Sequence, residues 1–369
     1  MASQTPRPPA EESEGPEAEV LVRREGHAGH LVLNRPKALN SLNRSMVRRL
    51  EEVLLQWEQD DTVKVVVLSG AGERGLCAGG DIRAIYQDAV EGGTASADFW
   101  RDEYRLNALI ARYSKPYVAL MDGIVMGGGV GVSAHGSVRI VTERSRIAMP
   151  ETGIGFVPDV GGTRLLARAP GELGTHLALT SDQIGAADAL LCGLADHHVR
   201  SERIEELLAA FGEREVDEVI AQFATEPAEG RLAAQREWID AAYAHDRVED
   251  IVAALRDLGS TAAKATAERV LGKSPSALKA TLRALRGAAR LQTLEQVLEV
   301  EYRTSCAALR SHDLIEGVRA QVIDKDRSPS WSPPSLEDVT EAHVQEYFAP
   351  LGEGRELGLV PATEPKESR

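Results

Sequence analysis

Apolar positions along the chain change period twice, and the changes divide it into parts. Residues 20–24 and 30–33 alternate as two short strands around Glu25-Gly26-His27-Ala28-Gly29, a hairpin signal. Asn34-Arg35-Pro36 stops the second. Asn43 is placed to cap a helix running to residue 59, with Met46, Val47, Leu50, Val53, Leu54 and Trp57 at helical spacing. VKVVVLSG (63–70) and residues 116–121 read as buried strands. Each is followed by a glycine-rich turn that opens a helix, the first near Asp81 and the second running to Ala134. A further helix is predicted over 99–113, and short strands over 138–141 and 146–148. Strand, loop and helix in repeated order predict an α/β architecture with largely parallel strands. From residue 201 the segments IEELLAAF, VDEVIAQF, VEDIVAALRDL, TAAKATAERVL, SALKATLRALRGA and LEQVLEVEYRTSCAAL are all helical in period. VIDKDRSPSWSPP (322–334) then ends regular structure with prolines. The stretch between Tyr86 and Phe99, with DAVEGGTASAD at its centre, reads as a mobile loop. His197 and His198 read as a loop pair that cannot share a metal, because adjacent side chains point apart.

At 369 residues the chain is long enough for a sizeable core. Aromatics are 4% of it, so the core must rest on Ala, Val, Leu and Ile. The net charge of −15 repels nucleic acid and anionic membranes, and excludes both as general partners. A small anionic ligand stays open where basic residues are local. No apolar run is long enough to span a bilayer. Three widely spaced cysteines, Cys77, Cys192 and Cys306, signal neither a disulfide framework nor a zinc cluster, and suit a reducing compartment. The first residues are rich in Pro and Glu, unlike an Arg-rich, acid-poor transit peptide, so the expected location is cytoplasmic. Residues 1–18 and 352–369 read as disordered tails.

The chemistry centres on MGGGVGVSAHG (126–136). Consecutive glycines are costly to order, so something must need their bare backbone. Three uses compete. A dinucleotide site is suggested by GAGERG (70–75), but its helix starts too late and no acidic residue follows at the right distance. A serine nucleophile is suggested by GVSAHG, but Ser133 falls inside the helix rather than on the strand-to-helix turn. The third use is an oxyanion hole. Gly127–Gly129 stand at a helix N-terminus, where free N–H groups and the positive dipole end face outward. Gly80 in CAGGDI (77–82) supplies a second donor from an equivalent turn. Glu151 and Asp159, eight residues apart on glycine- and proline-rich loops, are the candidate acid and base.

Taken together, CAGGDI, MGGGVG, MPETGIGFVPDVGGT and ALTSDQIGAADALLCGLADHHV resemble the enoyl-CoA hydratase/isomerase (crotonase) superfamily over residues 19–200. FWRDEYRLNALIARYSKPYVALMDGIVMGGGVG and VEYRTSCAALRSHDLIEGVRAQVIDKDRSPSW extend the likeness to about Leu351. They are similar to its 3-hydroxyisobutyryl-CoA hydrolase branch. The resemblance implies a crotonase-like ββα spiral core (19–200) followed by an all-helical C-terminal region (201–351) that covers the pocket or mediates self-association, so that a homo-oligomer is allowed. It implies that the Gly80 and Gly128 amides hold a thioester carbonyl. Glu151 is then the principal catalytic carboxylate, and Asp159 binds the substrate hydroxyl or assists proton transfer. Glu103 reaches the pocket, and Ala78, Asp81 and Ile82 line the adenine end of coenzyme A. No metal or other cofactor is implied; coenzyme A arrives on the substrate and leaves as product. One position departs from the superfamily's hydratases. They carry a glutamate three residues after the oxyanion glycine, where this chain has Gly131. That favours thioester hydrolysis of a short 3-hydroxyacyl-CoA, in valine breakdown, over hydration. An enoyl-CoA hydratase or isomerase and a catalytically silent acyl-CoA-binding protein are the alternatives. Lys325 is left either to meet coenzyme A phosphates or to pair with its acidic neighbours.

Overall fold

A computed structural model of the chain describes residues 17–360. Strands β1 (Val20–Glu25) and β2 (Ala28–Leu33) form the expected antiparallel hairpin. Gly26 at φ +58 makes its turn. Asn43 accepts the Met46 N–H at 2.9 Å and starts α1 (Arg44–Glu58), whose apolar stripe is buried. Next come β3 (Val65–Gly70), α2 (Ile82–Glu91), α3 (Ala95–Ala111), β4 (Tyr117–Met121), β5 (Ile124–Met126), α4 (Gly128–Ser133), β6 (Val138–Val141) and β7 (Arg146–Ala148). Then follow α5 (Gly162–Ala167), α6 (Leu173–Thr180), α7 (Ala186–Leu191) and β8 (His197–His198). The six-stranded sheet runs β1-β2-β3-β4-β6-β8, parallel from β2 onward. A second, two-stranded sheet pairs β5 with β7 in parallel.

Alternation along the strands sends neighbouring side chains to opposite faces. Val66 and Leu68 of β3 join the larger core with α1 and α3, while Val65 and Val67 face the other way. That second face is closed by α8 (Ile204–Phe211) and α9 (Val216–Phe223), through Leu207, Phe211, Val219 and Phe223. The first two helices beyond residue 200 therefore complete the sheet's own core. Helices α10 (Leu232–Tyr243), α11 (Val248–Asp257), α12 (Thr261–Leu271), α13 (Pro275–Ala288), α14 (Leu294–Ala308) and α15 (His312–Val318) follow, then a π-helical turn (Arg319–Ile323) and α16 (Glu341–Tyr347). Of these, α13 packs on α5 and α6, and α14 packs on α3.

Several expectations are corrected. The stretch read as a mobile loop is the end of α2 and the start of α3, joined by a tight turn. Gly92 at φ +66 ends α2, and the Asp88 carboxylate accepts the Ala95 and Ser96 N–H groups at 3.1 and 2.7 Å. His197 and His198 are not loop residues but an edge strand on β6. Residues 1–16 and 361–369 of the expected tails lie outside the described residues. Residues 352–360, read as tail, are instead held to the body. Leu357 is fully buried, and Arg101 of α3 donates to the carbonyls of Arg355, Glu356 and Leu357 and to the Tyr302 hydroxyl. Among the described residues no helix is long and apolar enough to cross a membrane.

Close helix approach is concentrated at Gly174 of α6, where an added Cβ would collide with the Leu166 carbonyl oxygen of α5. At Gly287 of α13 an added Cβ meets nothing within 4 Å. Gly174→Ala is expected to destabilise by about 1–3 kcal/mol through overpacking. Gly287→Ala is expected to be neutral or stabilising by up to about 1 kcal/mol. Thermal unfolding of the pair checks the contrast.

Candidate active site

The two glycine turns meet because the chain on either side of them is bridged. Cys77 N–H donates to Ile124 O at 3.1 Å and Met126 N–H donates to Cys77 O at 3.0 Å, a parallel bridge that continues β5 onto the CAGGDI segment. This register carries Gly80 to Gly128. A Cβ built on Gly128 would stand 3.2 Å from the Gly80 nitrogen and 2.5 Å from Glu103 Oε1; one on Gly127 would stand 3.0 Å from Glu151 Oε1. Gly127 itself sits at φ +48, a conformation that L side chains rarely adopt. Among the described residues neither the Gly80 nor the Gly128 amide donates to a protein acceptor. Both line a cavity of about 200 Å³ that also takes in Ala78, Ile82, Glu103, Glu151 and Asp159. Its apolar wall includes Trp100 and Phe156, stacked at 5.4 Å between ring centroids.

Asp81, expected at the adenine end of coenzyme A, stands apart from the other expected site residues. It is not among the residues lining this cavity. Its carboxylate pairs with Arg35 at 3.0 Å and it lines a neighbouring apolar pocket with Ile85 and Phe99. Position at the N-cap of α2, with its N–H held by the Leu42 carbonyl, turns its side chain away.

Each carboxyl is seated by a different element. Glu103 projects from α3 and is 2% exposed, with Oε1 unpartnered among the described residues. Glu151 opens a 3₁₀ turn (Glu151–Ile154), and its buried Oε2 is likewise unpartnered. Asp159 Oδ2 accepts the Tyr104 hydroxyl at 2.7 Å, and Tyr104 shares a second hydrogen bond of 2.7 Å with Ser305. The loop after Asp159 turns through Val160 at φ +54 and Gly161 at φ +80. It is pinned by Glu301 of α14, which accepts Gly161 N–H at 2.6 Å, Thr163 N–H at 3.0 Å and the Thr163 hydroxyl at 2.6 Å. On its other side Val160 O accepts from His135 Nε2 at 2.7 Å; a carbonyl only accepts, so Nε2 carries the proton.

Four buried carboxyls thus crowd one region, and burial is the main cause that raises all of them. Asp159 is pushed up to about 7, with the Tyr104 hydroxyl pulling back down. Glu301 is pushed up to about 8, against its hydrogen bonds to Thr163 and Gly161. Glu103 and Glu151 are raised well above the ordinary value by burial and then by the Asp159 charge. Burial also pushes the Cys77 thiol to about 12, which fits a packed side chain. Ser133 donates to Gly129 O at 2.6 Å within α4 and is fully buried. At Gly131 an added Cβ would lie 2.6 Å from Val160 Cβ and 3.0 Å from Asn107 Nδ2, so the site has no room for a carboxylate there.

Tyr104, Ser305 and Glu301 were missed in the sequence. The available signal was Glu301 and Ser305, one turn apart on a helix whose neighbours Leu298 and Tyr302 are buried.

The parallel sheet, with two neighbouring glycine turns beside buried carboxyls, is a fold of the crotonase kind. The chain belongs to the enoyl-CoA hydratase/isomerase family, whose model matches residues 28–348. The 3-hydroxyisobutyryl-CoA hydrolase, mitochondrial, of Danio rerio is 43% identical over 353 residues, 93% of this chain and 92% of the relative. The protein of the same name from Homo sapiens is 41% identical over 345 residues, 90% and 89% of the two chains. Among solved structures, a carnitinyl-CoA dehydratase from Mycobacterium thermoresistibile is 55% identical with a TM-score of 0.89, covering 92% of this chain and 98% of that one. An enoyl-CoA hydratase from Rhodobacter sphaeroides is 42% identical with a TM-score of 0.86, covering 92% and 99%.

The raised carboxyls carry a sign for stability. Between their unfolded values near 4.5 and folded values such as about 8 for Glu301, the folded chain binds more protons than the unfolded one. The stability these carboxyls contribute is therefore highest on the acid side of this window and falls as pH rises through it. The carboxylates held low, such as Glu316 at about 2, are ionised in both states across it. Buried His135 and His176, both held down to about 4, act with the opposite sign below pH 6.5, so the fall in melting temperature, at constant ionic strength, is expected from pH 6.5 to pH 8.

Proposed function

We propose that this protein hydrolyses the thioester of 3-hydroxyisobutyryl-CoA, or a similarly short 3-hydroxyacyl-CoA, to the free acid and coenzyme A, in valine breakdown. The observation that carries the reading is the pair of undonated amides at Gly80 and Gly128 beside the Glu151 carboxyl in a buried cavity. In this reading the thioester oxygen lies between the two amides, and losing one such donor costs about 3–4 kcal/mol of transition-state stabilisation. Glu151 follows one of two routes. As nucleophile it attacks the carbonyl carbon, the thiolate leaves, and water cleaves the resulting mixed anhydride. As general base it takes a proton from water, whose oxygen adds to the carbonyl before the thiolate leaves. Either route needs Glu151 ionised, so kcat/KM is expected to rise with pH through the neutral range as the raised carboxyls lose their protons. Asp159, held by Tyr104, binds the 3-hydroxyl. The small cavity, backed by Trp100 and Phe156, suits a short acyl group. The reading needs no metal or redox cofactor. The three cysteines, all buried and free, suit a reducing compartment.

The coenzyme A moiety is multiply anionic, and a chain of net charge −15 must meet it with local cations. Val322, at the end of the cavity, leads into Asp324-Lys325-Asp326-Arg327. Arg319 takes both aspartates, at 2.8 and 2.6 Å. Lys325 and Arg327 are thereby left exposed and without an ion pair among the described residues. We assign them to the phosphates.

A second reading follows the two solved relatives, a carnitinyl-CoA dehydratase and an enoyl-CoA hydratase: dehydration or hydration at the acyl chain. Three carboxyls around one cavity favour it. The filled space at Gly131 speaks against a paired-glutamate hydratase.

Free thiol release from 3-hydroxyisobutyryl-CoA tests the proposal. Wild type is expected to release coenzyme A, and Glu151→Ala to fall to near background. Lys325→Gln is expected to raise KM several-fold with kcat kept. No release by folded wild type, with loss of crotonyl-CoA absorbance instead, would establish the second reading.

A further inference from the structure

On the far side of the Asp159 loop lies a second cavity, of about 490 Å³. Its charged lining is Arg112, Arg139, Arg164 and Arg168 with a single acid, Glu295, and His135 is part of its wall. This balance is the reverse of the chain's net charge of −15. The four arginines are not equally engaged. Arg139 is neutralised by Asp196, and Arg164 donates to the carbonyls of Leu291 and Gln292 at 3.2 and 2.9 Å. Arg112 and Arg168 make no ion pair or side-chain hydrogen bond among the described residues, and both are exposed. Burial, and then the neighbouring Arg168 charge, hold the Arg164 guanidinium below its ordinary value. With Asp196 taken by Arg139 and Glu295 the one acid of the lining, Arg112 and Arg168 are left without an ion pair among the described residues; guanidinium groups so placed are stabilised by an anion and bind phosphate oxygens in bidentate fashion.

The cavity also touches the candidate active site through one short piece of backbone. His135 Nε2 donates to Val160 O, Asp159 precedes Val160, and Gly161 N–H is held by Glu301. Burial, aided by Arg139 and Arg164, keeps this histidine neutral, pushed down to about 4. An occupant beside His135 therefore bears on the loop that positions Asp159.

We propose that this arginine-lined cavity is an effector site for a small diphosphate-bearing anion, and that its occupation is felt in the loop from Val157 to Gly161 and the start of α5 through His135. Volume and charge fit pyrophosphate or the diphosphate of a nucleotide. The site is separate from the mouth assigned to coenzyme A, and the inference does not depend on the proposed hydrolysis.

Isothermal titration of the full chain with sodium pyrophosphate and with ADP at low salt tests it, beside Arg112→Gln/Arg168→Gln and Lys325→Gln. The expected result is saturable one-to-one binding, weakened at least tenfold by the double substitution and unchanged by Lys325→Gln. Pyrophosphate should also slow amide hydrogen exchange in the peptide spanning residues 157–163, and His135→Phe should abolish that slowing. Absence of saturable binding by either probe would overturn the site. So would binding that survives the double substitution, or that is lost in Lys325→Gln. Unchanged exchange in the loop at saturation would overturn the coupling.

Discussion

The arrangement depends on one close approach of backbone to backbone. The segment leading to Gly80 lies against the segment leading to Gly128, in a register set by the Cys77 bridge to Ile124 and Met126. Side chains at Gly75, Gly123 or Gly129 would each strike the opposite main chain, so the glycines are the condition for the approach. Once it is made, two amides at the ends of different turns become neighbours, and Glu103 and Glu151 are drawn onto the same spot.

A second constraint opposes the first. Bringing Glu103, Glu151, Asp159 and Glu301 into one dry region is costly if all are charged. The structure answers with protons and hydrogen bonds in place of cations. Tyr104 serves Asp159, while two amides and a hydroxyl serve Glu301. Glu301 and Asp159 thus have opposite duties though both are buried carboxyls. One is saturated by donors and holds a loop; the other keeps capacity free toward the cavity. Glu103 and Glu151 keep unpartnered oxygens, as expected of groups waiting for a ligand.

How much of this was legible follows from where each residue's orientation is decided. Gly80, Gly128 and Glu151 stand on turns whose geometry is local, so strand-then-glycine patterns and the family likeness located them. Asp81 stands on the same turn, but its direction is decided by Arg35, far back in the chain, and the pattern could not show that. Glu301 and Ser305 are the clearer case. Helical period in 294–308 shows that one face is buried, yet not that it is buried on α3 and the Asp159 loop. The sheet was legible from its apolar runs, while β5 lies directly between the β4 run and the glycine turn and β8 has two residues, so neither left a pattern of its own. The turn between α2 and α3 was misread because Asp88 caps a helix seven residues onward, a contact that composition does not encode.

The clamp from Arg101 to the carbonyls of residues 355–357 has a consequence for the order in which the molecule comes into being. Helix α3 is held on one side by the first third of the chain and on the other by its last described residues. A ribosome adding about 5–20 residues per second needs roughly 10–40 s to pass from the Asp159 loop to the segment that closes on Arg101. For roughly the first 7–28 s of that interval the early carboxyls exist without Glu301 and Tyr302, and for all of it without the Arg101 clamp. Their proton affinities are then those of ordinary surface acids. The chemistry of the pocket thus begins only after the segment that closes on Arg101 has been made.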